Sequence, residues 1–573
     1  MERRLLLILP LAAFIVVLPF LLRGCSCGHD FDFHLINWFE AARQLTHGTL
    51  HPHWAFTPAW NAGEPRFVFY PPLSWLLGAL LGLLMPWAWT PVAYTWLALT
   101  AAGASLYLVA RRSTTPNAAL VAAAVYLSNP YTLYTAYERT AYAELLAAAW
   151  FPLLLHASLE RRISIPRIAL PIALLWLTNA PAAVMGCYTL ALILLLRIGY
   201  ATLRRKTTKA SNHTEPSRAA LALHSAAGLL LGLGLASFYL VPAAYERRFV
   251  QIRMAILPGL RPQDNFLFHR TSDPDHDLVL HLASLVALVL VALTLATLVS
   301  LRDPRGQQDQ DRQDQQDRLN PHPLNPLSPQ AIQNLSLPLS VLTGAIVFLL
   351  TPLSAPLWRY LPELSFLQFP WRLLAVLATV FAFALALALS RVRLSPTRTF
   401  ALALLAAASM GLASDHFFRQ RCYPEDTVPA RLEVFRSANP GTDPTDEYTP
   451  IGADNDALNQ QNPGYWLAPS AASTAPSPAT PGPAPHQLDL SLPSPATLIL
   501  NLRSYPAWRV TRNRTDLPTR LPRKDGLIAL PLPAGISHIQ ITYATLPDQW
   551  IGYALSALSL LLLLLLRRRP QMA

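Results

Sequence analysis

Charge is scarce in this chain. Only 14% of its 573 residues are Asp, Glu, Lys or Arg, against about 25% in a soluble globular protein. With 52% hydrophobic residues, that shortage argues against a soluble enzyme or a disordered scaffold. Cysteine is scarcer still: Cys25, Cys27, Cys187 and Cys422. Cys187 lies in an apolar run. Cys25 and Cys27 are one residue apart, so a bridge between them would be strained. The spacing offers neither a disulfide framework nor a zinc-binding cysteine cluster. No internal repeat of the kind found in many transporters is visible.

What the chain has in abundance is apolar runs of membrane-span length, from Leu5 to Leu566. The formal net charge of +12 sits mainly in arginines just after those runs. That is the signature of a polytopic membrane protein with positive loops inside, not of a nucleic-acid partner. Met1-Glu2-Arg3-Arg4 followed by an apolar run to Leu22 reads as an uncleaved first span, since no clean small-x-small site follows. Further spans are expected at 91–110, 116–134, 142–159, 165–179, 182–197, 219–242, 278–301, 338–356, 371–390, 398–414 and 550–566, about twelve in all. The run Leu73–Met85 has about 13 residues, and about 20 are needed to cross. It is expected to lie in the outer interface, with Trp75, Trp87 and Trp89 at that depth. Arg111-Arg112, Arg161-Arg162, Arg204-Arg205-Lys206, Arg391 with Arg393, and Arg567-Arg568-Arg569 then all fall inside. Both termini are cytoplasmic on this reading.

The expected organisation is a transmembrane module, 1–414, with an outer loop at 23–90 and a disordered cytoplasmic insertion at 302–336. The insertion is polar and low in complexity, with Gln307-Gln308-Asp309-Gln310-Asp311. An extracytoplasmic domain, 415–549, precedes the last helix and basic tail, 550–573. Within it, period-2 runs at Leu488/Leu490/Leu492, Leu498/Leu500/Leu502, Ile528/Leu530/Leu532 and Ile539/Ile541/Tyr543 predict a β-sandwich over 486–545. The fold class is mainly α: a polytopic helical bundle with a C-terminal β-sandwich.

The loops carry the chemistry. Gly28-His29-Asp30-Phe31-Asp32-Phe33-His34 stands at the outer mouth of the first span. In a helix Asp30 and His34 share a face; in an extended chain Asp30, Asp32 and His34 do. Either way a carboxylate and an imidazole converge. Such a carboxylate can deprotonate an acceptor hydroxyl, or hold a phosphate through a divalent cation; solvated loop charges are the bland alternative. His51 and His53 form an H-x-H pair without a third ligand nearby. Arg139 and Glu144 flank the start of a span, where charge is costly unless paired or functional. Arg139 suits a bidentate phosphate contact or simple snorkelling. Glu246 and Arg372 stand at the outer ends of two other spans. Several spans thus deliver acids and arginines to one surface.

The acidic motif after the first span, the juxtamembrane Pro71-Pro72-Leu73 helix and the charged second loop resemble the GT-C glycosyltransferases. More narrowly, the chain is similar to bacterial membrane proteins of the YfhO type. It is more similar still to membrane proteins labelled 6-pyruvoyl-tetrahydropterin synthase-related. The matching segments are Asp30-x3-His34, Gly63-Glu64-Pro65 with Tyr70-Pro71-Pro72-Leu73, Tyr137-x-Arg139 with Glu144, Leu367-Gln368-Phe369-Pro370-Trp371-Arg372, Glu447-Tyr448-x-Pro450, Tyr505-Pro506-x-Trp508 and Leu532-Pro533-Ala534-Gly535. They cover most of the chain. The resemblance implies an inverting glycosyltransferase with a polyprenyl-phosphate sugar as donor and a glycan or polymer acceptor, working in cell-envelope assembly at the outer face of the bacterial inner membrane. Asp30, Asp32 and His34 would be catalytic. Arg139, Glu144, Glu246 and Arg372 would bind phosphate or substrate. The one cofactor the resemblance admits is a divalent cation. The pterin label does not translate into chemistry, because the chain lacks a three-His zinc site. Two departures limit the transfer of substrate detail: no Lys precedes Pro71, and Thr140 stands where Gly is expected. A non-catalytic accessory protein of the same fold, and a transporter with a central polar site, are the competing readings.

Overall fold

The computed structural model describes residues 7–207, 217–302, 329–475 and 480–568. The insertion expected at 302–336 falls largely outside them. The helices are α1 (Ile8–Arg23), α2 (Phe31–Thr46), α3 (Pro72–Leu84), α4 (Thr90–Ala110), α5 (Pro116–Leu127), α6 (Tyr142–Leu159), α7 (Ile165–Thr178), α8 (Ala180–Thr207), α9 (Arg218–Leu235) and α10 (Ser237–Glu246). They continue with α11 (Pro274–Ser300), α12 (Pro329–Leu349), α13 (Pro370–Leu389), α14 (Pro396–Phe417), α15 (Val428–Arg436) and α16 (Pro547–Arg568). Proline sets many of the starts, because its missing N–H is no loss at the first helical position. Thr115 before Pro116, Ser395 before Pro396 and Asp273 before Pro274 each accept a hydrogen bond from the first turn.

Among the described residues, eight helices are long and apolar enough to cross a bilayer. A ninth counts if the bent pair Leu335–Leu349 and Pro352–Tyr360 is one span. That pair bends by 92°, so the straight span expected over 338–356 is instead a broken one. Pro352 supplies the break, since a proline cannot continue the hydrogen-bond ladder. The helix α3 has 13 residues, about 20 Å at 1.5 Å per residue, too short to cross. Its Trp75 is buried in protein rather than at an interface. The spans α6 and α13 are each 78% buried, against 17% for α16 and 22% for α14. The first two therefore form the centre of the bundle and the last two its rim.

Seven antiparallel strands form two sheets between α15 and α16. The strands are β1 (Tyr465–Ala468), β2 (Gln487–Leu492), β3 (Ala496–Arg503), β4 (Trp508–Arg512), β5 (Thr515–Asp516), β6 (Leu527–Leu532) and β7 (Gly535–Tyr543). Their order is β1-β3-β6 in one sheet and β2-β7-β4-β5 in the other. All four alternating runs read from the sequence are strands. Leu498 pairs with Leu530 and Leu488 with Ile539, and residues of both sheets join one apolar cluster. Trp54, from the loop after α2, completes that cluster. Asn501, buried, donates to the Trp60 carbonyl, so the 47–70 loop is a layer of the β-rich region.

One expectation about cysteine fails. Cys27 and Cys422 are bridged, with Cα atoms 5.0 Å apart and a sequence separation of 395. Only folding brings them together, so spacing could not reveal the pair. Alkylation of the denatured, unreduced full chain is expected to modify Cys25 and Cys187 alone; modification of all four would refute the bridge.

Candidate functional site

The loop after α1 meets the loop before α6 at Gly28. A Cβ at that position would lie 2.1 Å from the Glu138 carbonyl oxygen, so only glycine permits the approach. The Asp30 N–H then donates to the Arg139 carbonyl at 2.9 Å. Asp30 stands immediately before α2, and its carboxylate accepts from Arg139 Nη2 at 3.3 Å. Arg139 Nη1 donates to Glu144 Oε2 at 2.6 Å. Arg372 Nε lies 3.5 Å from the same Glu144 oxygen, an ion-pair contact without hydrogen-bond geometry, since that nitrogen is buried and unbonded. Tyr131 donates its hydroxyl to Glu144 Oε1.

Glu144 is therefore a hub that holds two guanidiniums side by side. It sits in the first turn of α6 and Arg372 in the first turn of α13, the two central spans. The side chains of Glu144 and Arg139 are 3% and 5% exposed, and that of Arg372 12%, while Asp30 is 40% exposed. Burial works against charge on Arg139, but Glu144 and Asp30 outweigh it and hold the guanidinium protonated well above its ordinary range. The arrangement is one accessible carboxylate backed by two buried cations and one buried anion.

Three expected members go elsewhere. His34 is on α2 but makes no side-chain bond to Asp30. Its ring packs among Tyr70, Trp38 and Tyr142, with centroids 5.9, 6.3 and 5.3 Å away. Full burial pushes its pKa down to about 4, so it is neutral at physiological pH. Asp32 turns from the cluster to Arg431, which also donates to Asp426 at 2.9 Å. Burial lifts its carboxyl above the usual range, and Arg431 offsets part of that. Glu246 is fully buried under the β-rich region, accepting from Tyr505 and from Gln549 at 3.0 Å. The reason is common to all three. Helical periodicity places residues on faces, but the partners come mostly from other segments: from just before α3 and from α6 for His34, and from at least 259 residues away for Asp32 and Glu246.

Tyr131 and Gln368 were not among the expected residues. Tyr131 hides inside an apolar run, and no sequence signal singles it out. Gln368 lies in a quoted motif. His51 donates to or accepts from Tyr553 at 2.6 Å and packs on His53 at 4.5 Å, both half-buried. Among the described residues no three His, Cys, Asp or Glu gather to hold a metal ion.

Thr140, the departure noted above, has φ +47° and ψ +37°. A β-branched residue is strained there. Thr140→Gly is expected to stabilise the protein by about 1 kcal/mol, read as a higher Tm; a lower Tm would contradict the strain.

The fold and site define a polytopic membrane protein with a β-rich unit at the Asp30 end of its bundle. A family profile described as 6-pyruvoyl-tetrahydropterin synthase related domain, membrane protein, matches residues 67–422. The chain belongs to that family. No curated protein matches it. Two solved structures of the arabinofuranosyltransferase AftD from mycobacteria, one a mutant, are similar at 18% identity with TM-scores of 0.40 and 0.41. The match covers 72% and 73% of this chain but only 26% and 28% of theirs. This chain therefore corresponds to little more than a quarter of their length, and the likeness is too distant to bear on activity.

Proposed function

We propose that the protein is an inverting glycosyltransferase of the bacterial plasma membrane that uses a polyprenyl-phosphate sugar at the outer face. The observation that carries this reading is the two-fifths-exposed Asp30 carboxylate set against buried Arg139 and Arg372 at the ends of the central spans. Asp30 takes the proton of an acceptor hydroxyl. The freed oxygen attacks the anomeric carbon opposite the phosphate, and the bond from that carbon to the phosphate oxygen breaks. The polyprenyl phosphate leaves with the electron pair, its charge met by Arg372 and Arg139. Glu144 and Tyr131 hold the arginines rather than the substrate. No step runs through a metal.

Two observations support the orientation. The Cys27–Cys422 bridge fits an oxidising compartment at the Asp30 end. Arg111, Arg112, Arg161 and Arg162 gather at the other end, as expected for the cytoplasmic side. On this reading the chain crosses about twelve times, both termini are cytoplasmic, and the two sheets form an outer sandwich that receives a glycan or polymer of the envelope. A second reading, a non-catalytic accessory protein of the same fold, is favoured by one feature. The cavity beside Glu144, lined also by Tyr126, Tyr131 and Thr135, has room for about one water. Proteoliposomes containing the full chain, given a panel of polyprenyl-phosphate sugars and envelope acceptors, test the two. Release of polyprenyl phosphate with sugar transfer supports the enzyme; none across the panel favours the accessory protein.

A further inference from the structure

Gln368 has no role in the ion pairs of the site, yet its backbone is among the most unusual in the chain. It has φ +61° and ψ −54°. These angles, with the Phe369 N–H donating to the Leu367 carbonyl at 2.6 Å, define a γ-turn of the rare, strained hand. Glycine would relieve such strain, and glutamine stands here instead. A strained conformation persists only where its surroundings over-determine it.

What the turn delivers is a grip on Arg372. The Leu367 carbonyl accepts from Arg372 Nη1 at 2.9 Å. The Gln368 Oε1 accepts from the same nitrogen at 3.3 Å. The Gln368 Nε2 donates to the Ala255 carbonyl at 2.7 Å, so the carboxamide is itself anchored to another segment. The Phe369 ring lies 5.0 Å from the guanidinium and stacks on Trp371 at 4.5 Å. Three consecutive residues therefore hold one nitrogen and one face of the guanidinium. The Nε on the other side is buried 3.5 Å from the Glu144 carboxylate, while Nη2 makes no hydrogen bond to the described residues and is not fully buried. The nearby acid of the same loop, Glu363, pairs with Arg247 at 3.1 Å, so among the described residues Glu144 alone forms an ion pair with Arg372.

We propose that Gln368 is a positioning residue: it and the γ-turn fix Arg372 so that the remaining nitrogen of the guanidinium, Nη2, is presented to a phosphate group. This rests on the reading of the site given above. A long arginine side chain loses rotamer freedom when it binds an anion, and a guanidinium already held loses less. The neutral carboxamide holds the guanidinium without adding a second carboxylate to that of Glu144.

The test is a double-mutant cycle on the full chain in lipid nanodiscs, with geranyl phosphate as probe in isothermal titration. R372Q is expected to weaken binding about tenfold or more, and Q368M about three- to tenfold, the size of one or two lost hydrogen bonds. In the Q368M/R372Q double variant the Gln368 change should cost nothing further, because its action passes through Arg372. A merely structural role would make the losses multiply. Q368E serves if Q368M does not fold. Its carboxylate should neutralise Arg372 and lower binding to the R372Q level. Wild-type affinity in Q368M or Q368E, or multiplying losses in the double variant, overturns the positioning role. Wild-type affinity in R372Q overturns the phosphate site itself.

Discussion

Asp30→Asn is expected to lower sugar transfer by roughly 10²- to 10⁴-fold, the range for loss of a general base. The protein should otherwise be intact. The Asp30 N–H is held by the Arg139 carbonyl, and the Phe31 N–H by Gly28, so the backbone does not depend on the side chain. An asparagine keeps the shape and can still accept from Arg139, but it cannot take a proton at neutral pH. The geometry also separates Asp30 from its neighbour. Arg139 binds Glu144 at 2.6 Å and Asp30 at 3.3 Å, so Asp30 is the looser partner and the one exposed enough to meet an acceptor. Asp32 is committed to Arg431, a contact between α2 and α15 away from both site arginines. Asp32→Asn should retain activity within about tenfold, since it removes a partly exposed ion pair worth about 1 kcal/mol or less. Initial rates in proteoliposomes decide. A D30N rate within threefold of wild type, or D32N as the inactive variant, would transfer the base role away from Asp30.

Much of the helical architecture was legible because a bilayer demands long apolar segments, and such segments need no partner to be recognised. The strands were legible for a similar local reason. Leu488, Leu490 and Leu492 alternate because one face of their sheet is buried and the other is not. Strand β3 shows where that logic ends. Its Leu498, Ile499, Leu500 and Asn501 are all buried, since the 47–70 loop covers the second face, and β1 was missed altogether. Arg139, Glu144 and Arg372 were legible as charges too costly to leave at a membrane boundary without a purpose. Tyr131, which donates to Glu144, was not, since a tyrosine in an apolar run reads as core. The Cys27–Cys422 bridge, the Asp32–Arg431 pair and the burial of Glu246 share one cause of illegibility. Each joins segments separated by roughly 250 residues or more, which only the folded chain brings together.

Glu246 leads to the second large effect, a stability difference that grows as pH rises. Its carboxyl is fully buried, and the Asp548 carboxyl lies close enough to raise its pKa further. Both Asp548 oxygens are buried without a donor. Among the described residues no cation offsets the pair: Tyr505 and Gln549 donate to Glu246, and Tyr543 stands close by. Burial, with Asp548 adding to it, pushes the Glu246 pKa up from 4.5 to about 7. The folded state thus keeps a proton that the unfolded chain releases above 4.5. The stabilising contribution is full below about pH 4.5 and is lost as pH rises through about 7, in total about 3 kcal/mol at 1.36 kcal/mol per unit. The wild-type curve alone will not reveal it. His51 and His53 in the neighbouring loop have pKa values pushed down by burial to about 4 and about 3, and their contribution runs the other way, lost as pH falls below 6.5. The comparison with Glu246→Gln isolates the carboxyl, because the amide imitates the protonated acid at every pH. Wild type and variant should unfold at the same temperature near pH 4, where folded and unfolded chains both hold the proton. Near pH 8 the variant should be the more stable. A difference in Tm that stays constant from pH 4 to pH 8 would show that no proton is held at this junction of β7, α10 and α16.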